Sequence, residues 1–297
     1  MDGGNIGIRE DENLKGGLAG NLKTQQISEW SIQAVQTIEA ADIQAIFDQK
    51  VCGISIPNFC EAAIAEKIAN ALLDDPSRSR YDVNWARKGD EGVKQEEFWK
   101  RKAQASDVDR VGPVTLTMSD YASPEDYSRA AVASIRKIRS YAHPYLSPMD
   151  RLRLELDEQL PGGARIASHV NGAKAFAGVG RVMESSQEMI HADTGRPGCL
   201  TANLYLRMPG AGGGTKVWYH PGDYLKSPGS YLFAPGEIPE SAPCTLFQPT
   251  VGELVIWNPL SPHVVLPFQG GPRVSIQVWL KIMGSLSDGS LAVRLIS

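Results

Sequence analysis

Hydrophobic positions along the chain change their period near residue 161. Before that point they recur at helical spacing. Ile43, Ile46 and Phe47 lie on one face of a helix that begins near Ile38, and Ile64, Ile68 and Leu72 share a face over 61–73. Between these two helices the alternating segment VCGISIPNF (51–59) predicts a strand. The second helix stops at Asp74-Asp75-Pro76, because the residue before a proline is pushed out of the helical region. Two further helices share one opening. Ser123-Pro124 with Asp126 begins 123–142, and Ser147-Pro148 with Asp150 begins 147–160, each a capping serine with proline at the first helical position. The charged stretch between them and the second helix, about 77–120, reads as a loop or lid with short helices.

After Pro161-Gly162-Gly163 the period shortens to two. Strands are predicted near 165–170, 176–184, 188–193, 200–208, 215–221, 244–250, 253–258, 263–268 and 273–283, separated by glycine and proline turns. Helices followed by an all-β run predict a mainly β (α+β) fold: a double-stranded β-helix, the cupin-like jelly roll, buttressed by N-terminal helices. Residues 1–28 are polar and glycine-rich and read as a mobile segment. Residues 29–297 read as a single domain, with 29–160 as helical support and lid and 161–297 as the jelly-roll core. The excursion at 221–243 separates two barrel strands and is expected to edge the mouth.

Composition narrows the function classes. A net charge of −4 without a basic stripe argues against a nucleic-acid partner. No apolar run approaches the 18 residues of a membrane span. Four cysteines with no C-x-x-C pair form no disulfide framework, so a reducing cytoplasm is the simplest setting. A small-molecule partner is expected for this chain. Its oligomeric state is left open, a homodimer included.

The candidate chemistry begins at MIHADTGR (189–196), where His191 and Asp193 are separated by one alanine. An H-x-D alone has a plain alternative, a surface turn with no metal. His263 follows the turn NPLSP (258–262), and ten positions later Arg273 and Ser275 stand in R-V-S. Two imidazoles and one carboxylate make the facial set that binds iron(II) with three positions left open. Arg273 and Ser275 share a strand face by alternation, and a guanidinium can grip a carboxylate with two parallel bonds. Their plain alternatives are a strand-face salt bridge and an ordinary strand serine. His220, in VWYHPGD, competes with His263 for the third ligand place; His143 and His169 read as structural.

On these residues the chain resembles the 2-oxoglutarate/iron(II)-dependent oxygenase superfamily over roughly 165–283, and more weakly over 51–73. AGGGTKVWY (211–219) and GELVIWN (252–258) are similar to the stand-alone members that hydroxylate amino-acid derivatives, and to related alkaloid halogenases. The resemblance implies that His191, Asp193 and His263 hold Fe(II), and that Arg273 and Ser275 receive the distal carboxylate of 2-oxoglutarate. O2 would be the second co-substrate. Halogenases of this type carry a small residue where Asp193 stands, so hydroxylation is the expected outcome. Desaturation or oxidative cyclisation with the same cofactors is the alternative. A cupin-like metal enzyme that does not use the oxo acid, and a non-catalytic jelly-roll binding module, are the rivals from other classes.

Further residues are candidates for contact. Asn203, Tyr205 and Arg207 share one strand face by alternation, with Tyr205 and Asn203 expected near the co-substrate. Arg181, one strand before the triad, reads either as a partner for a substrate carboxylate or as a rim ion pair. Thr194 and Arg196 follow the H-x-D and are placed toward substrate. Trp218 reads as a pocket wall or as core packing.

Overall fold

The computed structural model describes residues 30–80, 108–111, 124–168, 178–185, 190–193, 197–226 and 231–296. The N-terminal half runs β1 (Ile32–Ala34), α1 (Ala40–Phe47), β2 (Gly53–Ile56), α2 (Ala62–Leu73), β3 (Ser79–Arg80), β4 (Val108–Val111), α3 (Pro124–Ala142) and α4 (Pro148–Gln159). Among the described residues the regular elements of the second half are strands, apart from one 3-10 turn at Asp223–Lys226. They are β5 (Ala164–Ile166), β6 (Val179–Met183), β7 (His191–Ala192), β8 (Cys199–Arg207), β9 (Ala211–Gly212), β10 (Thr215–Trp218), β11 (Tyr231–Leu232), β12 (Cys244–Phe247), β13 (Leu254–Trp257), β14 (His263–Val265), β15 (Phe268–Gln269), β16 (Arg273–Met283) and β17 (Ala292–Ile296).

Eight of these strands form two facing antiparallel sheets. The large sheet contains the run β13-β8-β16-β6, and the small one the run β7-β14-β10-β12. Along the chain β6, β8, β13 and β16 belong to the large sheet, and β7, β10, β12 and β14 to the small one. The polypeptide therefore winds back and forth between two four-stranded layers, which is a jelly roll. β1 and β2 extend one edge of the large sheet, and β4 and β3 extend the other. No helix among the described residues is long and apolar enough to cross a membrane.

Side-chain alternation gives the large sheet two unlike faces. Leu200, Ala202 and Leu204 of β8, Leu254 and Ile256 of β13, and Val274, Ile276 and Val278 of β16 join one apolar cluster. Ile43 and Ile46 of α1, Ile64, Ile68 and Leu72 of α2, and Leu152 and Leu156 of α4 belong to the same cluster. Each such side chain contributes roughly 1.5–3 kcal/mol on burial, so this helix-covered face carries much of the fold's stability. The opposite face, turned toward the small sheet, is strongly polar. Thr201, Asn203, Arg273, Ser275 and Gln277 are all buried there.

The bounds of β16 match the periodicity, and most other strand ends lie within three residues of it. Periodicity did not mark β1, β3, β4, β9, β11 or β17, most of them only two or three residues long. The excursion at 221–243 contains β11, which returns to pair with β7, Leu232 opposite His191. Arg207 overturns an expectation. A β-bulge beside Val274/Ser275 breaks the alternation of β8, so Arg207 does not share the face of Tyr205. It bonds Asn70 of α2 instead, Nη2 to Oδ1 at 2.8 Å. The N-terminal segment, most of the 77–120 stretch, Ser123 and His169 lie outside the described residues.

The helical support is tied by one compact polar knot. Ser147 caps α4 by accepting the Asp150 N–H at 3.2 Å. Arg139 of α3 donates Nε and Nη2 to the two oxygens of Asp150, at 2.7 and 2.6 Å. That guanidinium, together with the Ser147 hydroxyl, holds the Asp150 carboxyl below its ordinary range against the opposing effect of burial. A depressed carboxyl stabilises the fold above its unfolded pKa, near 3.9, and the contribution is lost as pH falls through the folded value. Arg139 is half exposed, so the effect is a few tenths to about 1 kcal/mol. Asp150→Asn should lower the unfolding free energy at pH 7 by that amount, and the gap to the parent should close as pH falls below about 3.9. A gap that persists or widens in acid contradicts the linkage.

Candidate metal centre

His191 and His263 are direct cross-strand partners in the small sheet. Their ring centroids stand 4.2 Å apart and are tilted by 51°. Asp193 follows β7 two residues after His191, on the same side of the strand. The ligand atoms of His191, Asp193 and His263 all lie within 4.8 Å of one another. Both histidines are buried, and Asp193 is partly exposed. Two neutral nitrogens and one anionic oxygen, open on one side, suit a divalent first-row ion.

The His263 ring is oriented before any metal arrives. Its Nδ1 lies 2.9 Å from the Ser261 carbonyl oxygen, which can only accept, so Nδ1 carries the proton. Nε2 is thereby left with its lone pair for a metal. The Trp257 ring meets the same imidazole edge-on at 4.5 Å and restricts its rotation. His220 is elsewhere. It stacks on Tyr224 at 6.0 Å and meets Phe233 at 5.9 Å, within an aromatic cluster built on the 221–243 excursion.

Arg273 opens β16 on the inner face and is only 6% exposed. It crosses to the small sheet by donating Nη2 to Thr215 Oγ1 at 3.1 Å. The same nitrogen lies 3.4 Å from Tyr205 Oη, and Nη1 lies 3.3 Å from Met183 Sδ. The guanidinium also sits 4.9 Å from the centre of the Tyr205 ring. Thr215 pairs with Val265 while Val217 pairs with His263. The anchor of Arg273 is therefore two residues along the sheet from His263, about 7 Å. Burial pushes the Tyr205 hydroxyl upward in pKa, with Arg273 and Thr215 pulling the other way, so it stays protonated at neutral pH.

A polar row crosses the inner face of the large sheet. Arg181 donates Nη1 to Gln277 Oε1 at 3.1 Å, Gln277 donates Nε2 to Thr201 at 3.0 Å, and Asn203 Nδ2 lies 3.3 Å from the same hydroxyl. Ser275 is buried between Arg181 and Tyr205, its register partners on the two flanking strands.

Trp218 does not wall the cavity. Thr215 and Val217 of β10 point inward, to Arg273 and to the cluster of Tyr205 and Trp257. Alternation turns Lys216 and Trp218 the other way, and the Lys216 ammonium lies 4.8 Å over the Trp218 ring. Thr194 and Arg196 lie outside the described residues. The sequence reading passed over Thr215, Met183, Gln277 and Ser261. Thr215 had a signal in its alternation with Val217 in GGGTKVW, and Gln277 in its alternation with Arg273 and Ser275.

No family model matches the chain. A 102-residue stretch, 33% of this chain, is 32% identical to the NT-3 growth factor receptor of Rattus norvegicus; the chain spans 12% of that relative's length. Among solved structures the chain is similar to an N-substituted L-amino acid dioxygenase from Burkholderia ambifaria AMMD. There the identity is 14% and the TM-score 0.45, over 87% of this chain and 91% of that one. The epimerase SnoN, solved with Fe3+, alpha ketoglutarate and nogalamycin RO, is 16% identical with a TM-score of 0.46, over 81% and 83%. A Pseudomonas putida prolyl-4-hydroxylase is 16% identical with a TM-score of 0.42, over 82% of this chain and all (100%) of that one.

Removing a ligand should be decisive. His191→Ala and His263→Ala should each weaken cobalt(II) or manganese(II) binding by 100-fold or more in calorimetric titration, on the order expected for a lost first-row ligand. His220→Ala should bind like the parent. Strong loss in His220→Ala with retention in His263→Ala would reverse the assignment.

Proposed function

We propose that this chain is a non-heme iron(II), 2-oxoglutarate-dependent dioxygenase that hydroxylates an aliphatic C–H of a small molecule. An amino-acid derivative or a natural-product intermediate is the substrate class in this reading, and a reducing cytoplasm its setting. The observation that carries it is the convergence of His191, Asp193 and His263 ligand atoms, with a buried guanidinium anchored on Thr215, two residues along the sheet from the level of His263. A dicarboxylic acid could then be held at both ends, by the metal and by the guanidinium.

Bound iron and 2-oxoglutarate would supply O2 activation, coupled to decarboxylation of the oxo acid to succinate and CO2. The chain's own residues do the rest. His191 and His263 offer imidazole nitrogens, and Asp193 the single anionic oxygen. Arg273 offers paired N–H donors to the distal carboxylate, with Thr215, Tyr205 and Ser275 as hydroxyl neighbours. Asn203, in the polar row, stands toward the co-substrate. Burial of this end excludes water, which strengthens each charge-assisted bond. Arg181, oriented by Gln277, is the group offered to a substrate carboxylate, and Thr194 and Arg196 are assigned to the same pocket.

Succinate release with added iron(II), 2-oxoglutarate and ascorbate tests the reading. Arg273→Ala should raise KM for 2-oxoglutarate by about 10- to 100-fold, the loss of a charged hydrogen-bonded pair. A metal enzyme that does not use the oxo acid would keep its turnover in that variant. Absence of succinate with every candidate substrate, coupled or uncoupled, would favour a binding module. A product heavier by one oxygen supports hydroxylation, whereas one lighter by two hydrogens supports desaturation or cyclisation.

A further inference from the structure

The turn NPLSP, 258–262, has all five of its backbone carbonyls engaged, and two of them hold the proposed metal ligands. Asn258 C=O accepts the Ser261 N–H at 3.1 Å and closes the turn. Pro259 C=O accepts the backbone N–H of Asp193 at 2.9 Å. Leu260 C=O lies 3.1 Å from the Tyr224 hydroxyl, whose single proton is shared with the nearer His220 C=O at 2.6 Å. Ser261 C=O accepts from His263 Nδ1 at 2.9 Å, and Pro262 C=O accepts the Trp218 N–H at 2.9 Å. One five-residue turn thus fixes the backbone of Asp193 and the ring of His263 together.

The sequence explains why this turn is stiff. Proline at 259 presets the backbone for the second position of a turn, and asparagine is favoured at the first. The Asn258 side chain accepts the Leu260 N–H at 3.0 Å, adding a second closure. Pro262 drives Ser261 to an extended conformation, which aims its carbonyl. Asn258 and Ser261 are 3% and 2% exposed, so water does not compete for these bonds.

We propose that this turn is the positioning element of the metal centre, and that Asn258 and Tyr224 are its positioning residues. The proposal rests on the reading that His191, Asp193 and His263 hold a divalent ion. Asn258 acts through Pro259 on Asp193 and through Ser261 on His263. Tyr224, in the 3-10 turn Asp223–Lys226, approaches the same element through its hydroxyl.

The test uses the full chain and cobalt(II) as the probe, read by affinity and by the ligand-field absorption of the bound ion. Asn258→Ala should weaken cobalt(II) binding by about 10- to 100-fold, the range for lost outer-shell support, and should shift the spectrum. Asn258→Asp keeps the acceptor for Leu260 N–H and should restore both. Tyr224→Phe should move affinity and spectrum in the same direction as Asn258→Ala. A purely structural role would instead lower the melting temperature of the metal-free protein and leave spectrum and affinity alone. Parent-like affinity and spectrum in Asn258→Ala, or no rescue by aspartate, overturns the proposal. If Asn258→Ala does not fold, Tyr224→Phe decides by the same two readouts. Parent protein that binds no cobalt(II), or binds it equally after His191→Ala, removes the metal reading and this proposal with it. Tight parent binding with indifferent turn variants removes this proposal alone.

Discussion

The pairing of β7 with β14 is the constraint on which the rest of the molecule depends. It sets His191 directly opposite His263, two residues 72 positions apart in the chain. Side chains of opposed residues in an antiparallel pair approach to about 5 Å, so register alone delivers two imidazoles to one place. A slip of one residue would turn one ring to the other face of the sheet and disperse the site. The pairing is held from both sides: β11 lies against β7, and β10 lies against β14.

That register is affordable because stability comes from elsewhere. The helix-covered face of the large sheet is continuous hydrocarbon, from Ile43 through Leu204 to Val278. The inner face is free to be polar, a costly arrangement unless buried groups are hydrogen-bonded. The row Arg181–Gln277–Thr201 and the bridge from Arg273 to Thr215 meet part of that requirement. Packing and chemistry thus occupy opposite faces of the same strands, and alternation keeps them apart.

Much of this was legible in the amino-acid order, for identifiable reasons. An eleven-residue alternation such as Arg273–Met283 leaves no ambiguity of period, and the structure matches its bounds. The serine-proline opening of α4 is a chemical signal, and Ser147 makes the cap. The jelly roll followed from helices giving way to short strands. His191, Asp193 and His263 stood out because few residue types bind metals. What stayed hidden depends on partners. A period shows which residues share a face, but not which face looks inward, and so Trp218 was open to a pocket role. A bulge depends on the neighbouring strand, and so Arg207 was assigned to the wrong side. Tyr231 and Leu232 are too few to display any period, and nothing local says that they return to β7. Backbone carbonyls such as that of Ser261 leave no mark in a sequence at all.

The most direct test of the central claim is diffraction at the iron absorption edge, from crystals grown without oxygen in iron(II). The account predicts one anomalous peak, within coordination distance of His191, Asp193 and His263 together. A peak bound to His220 in place of His263, or ordered iron bound anywhere but at these three residues, would contradict it.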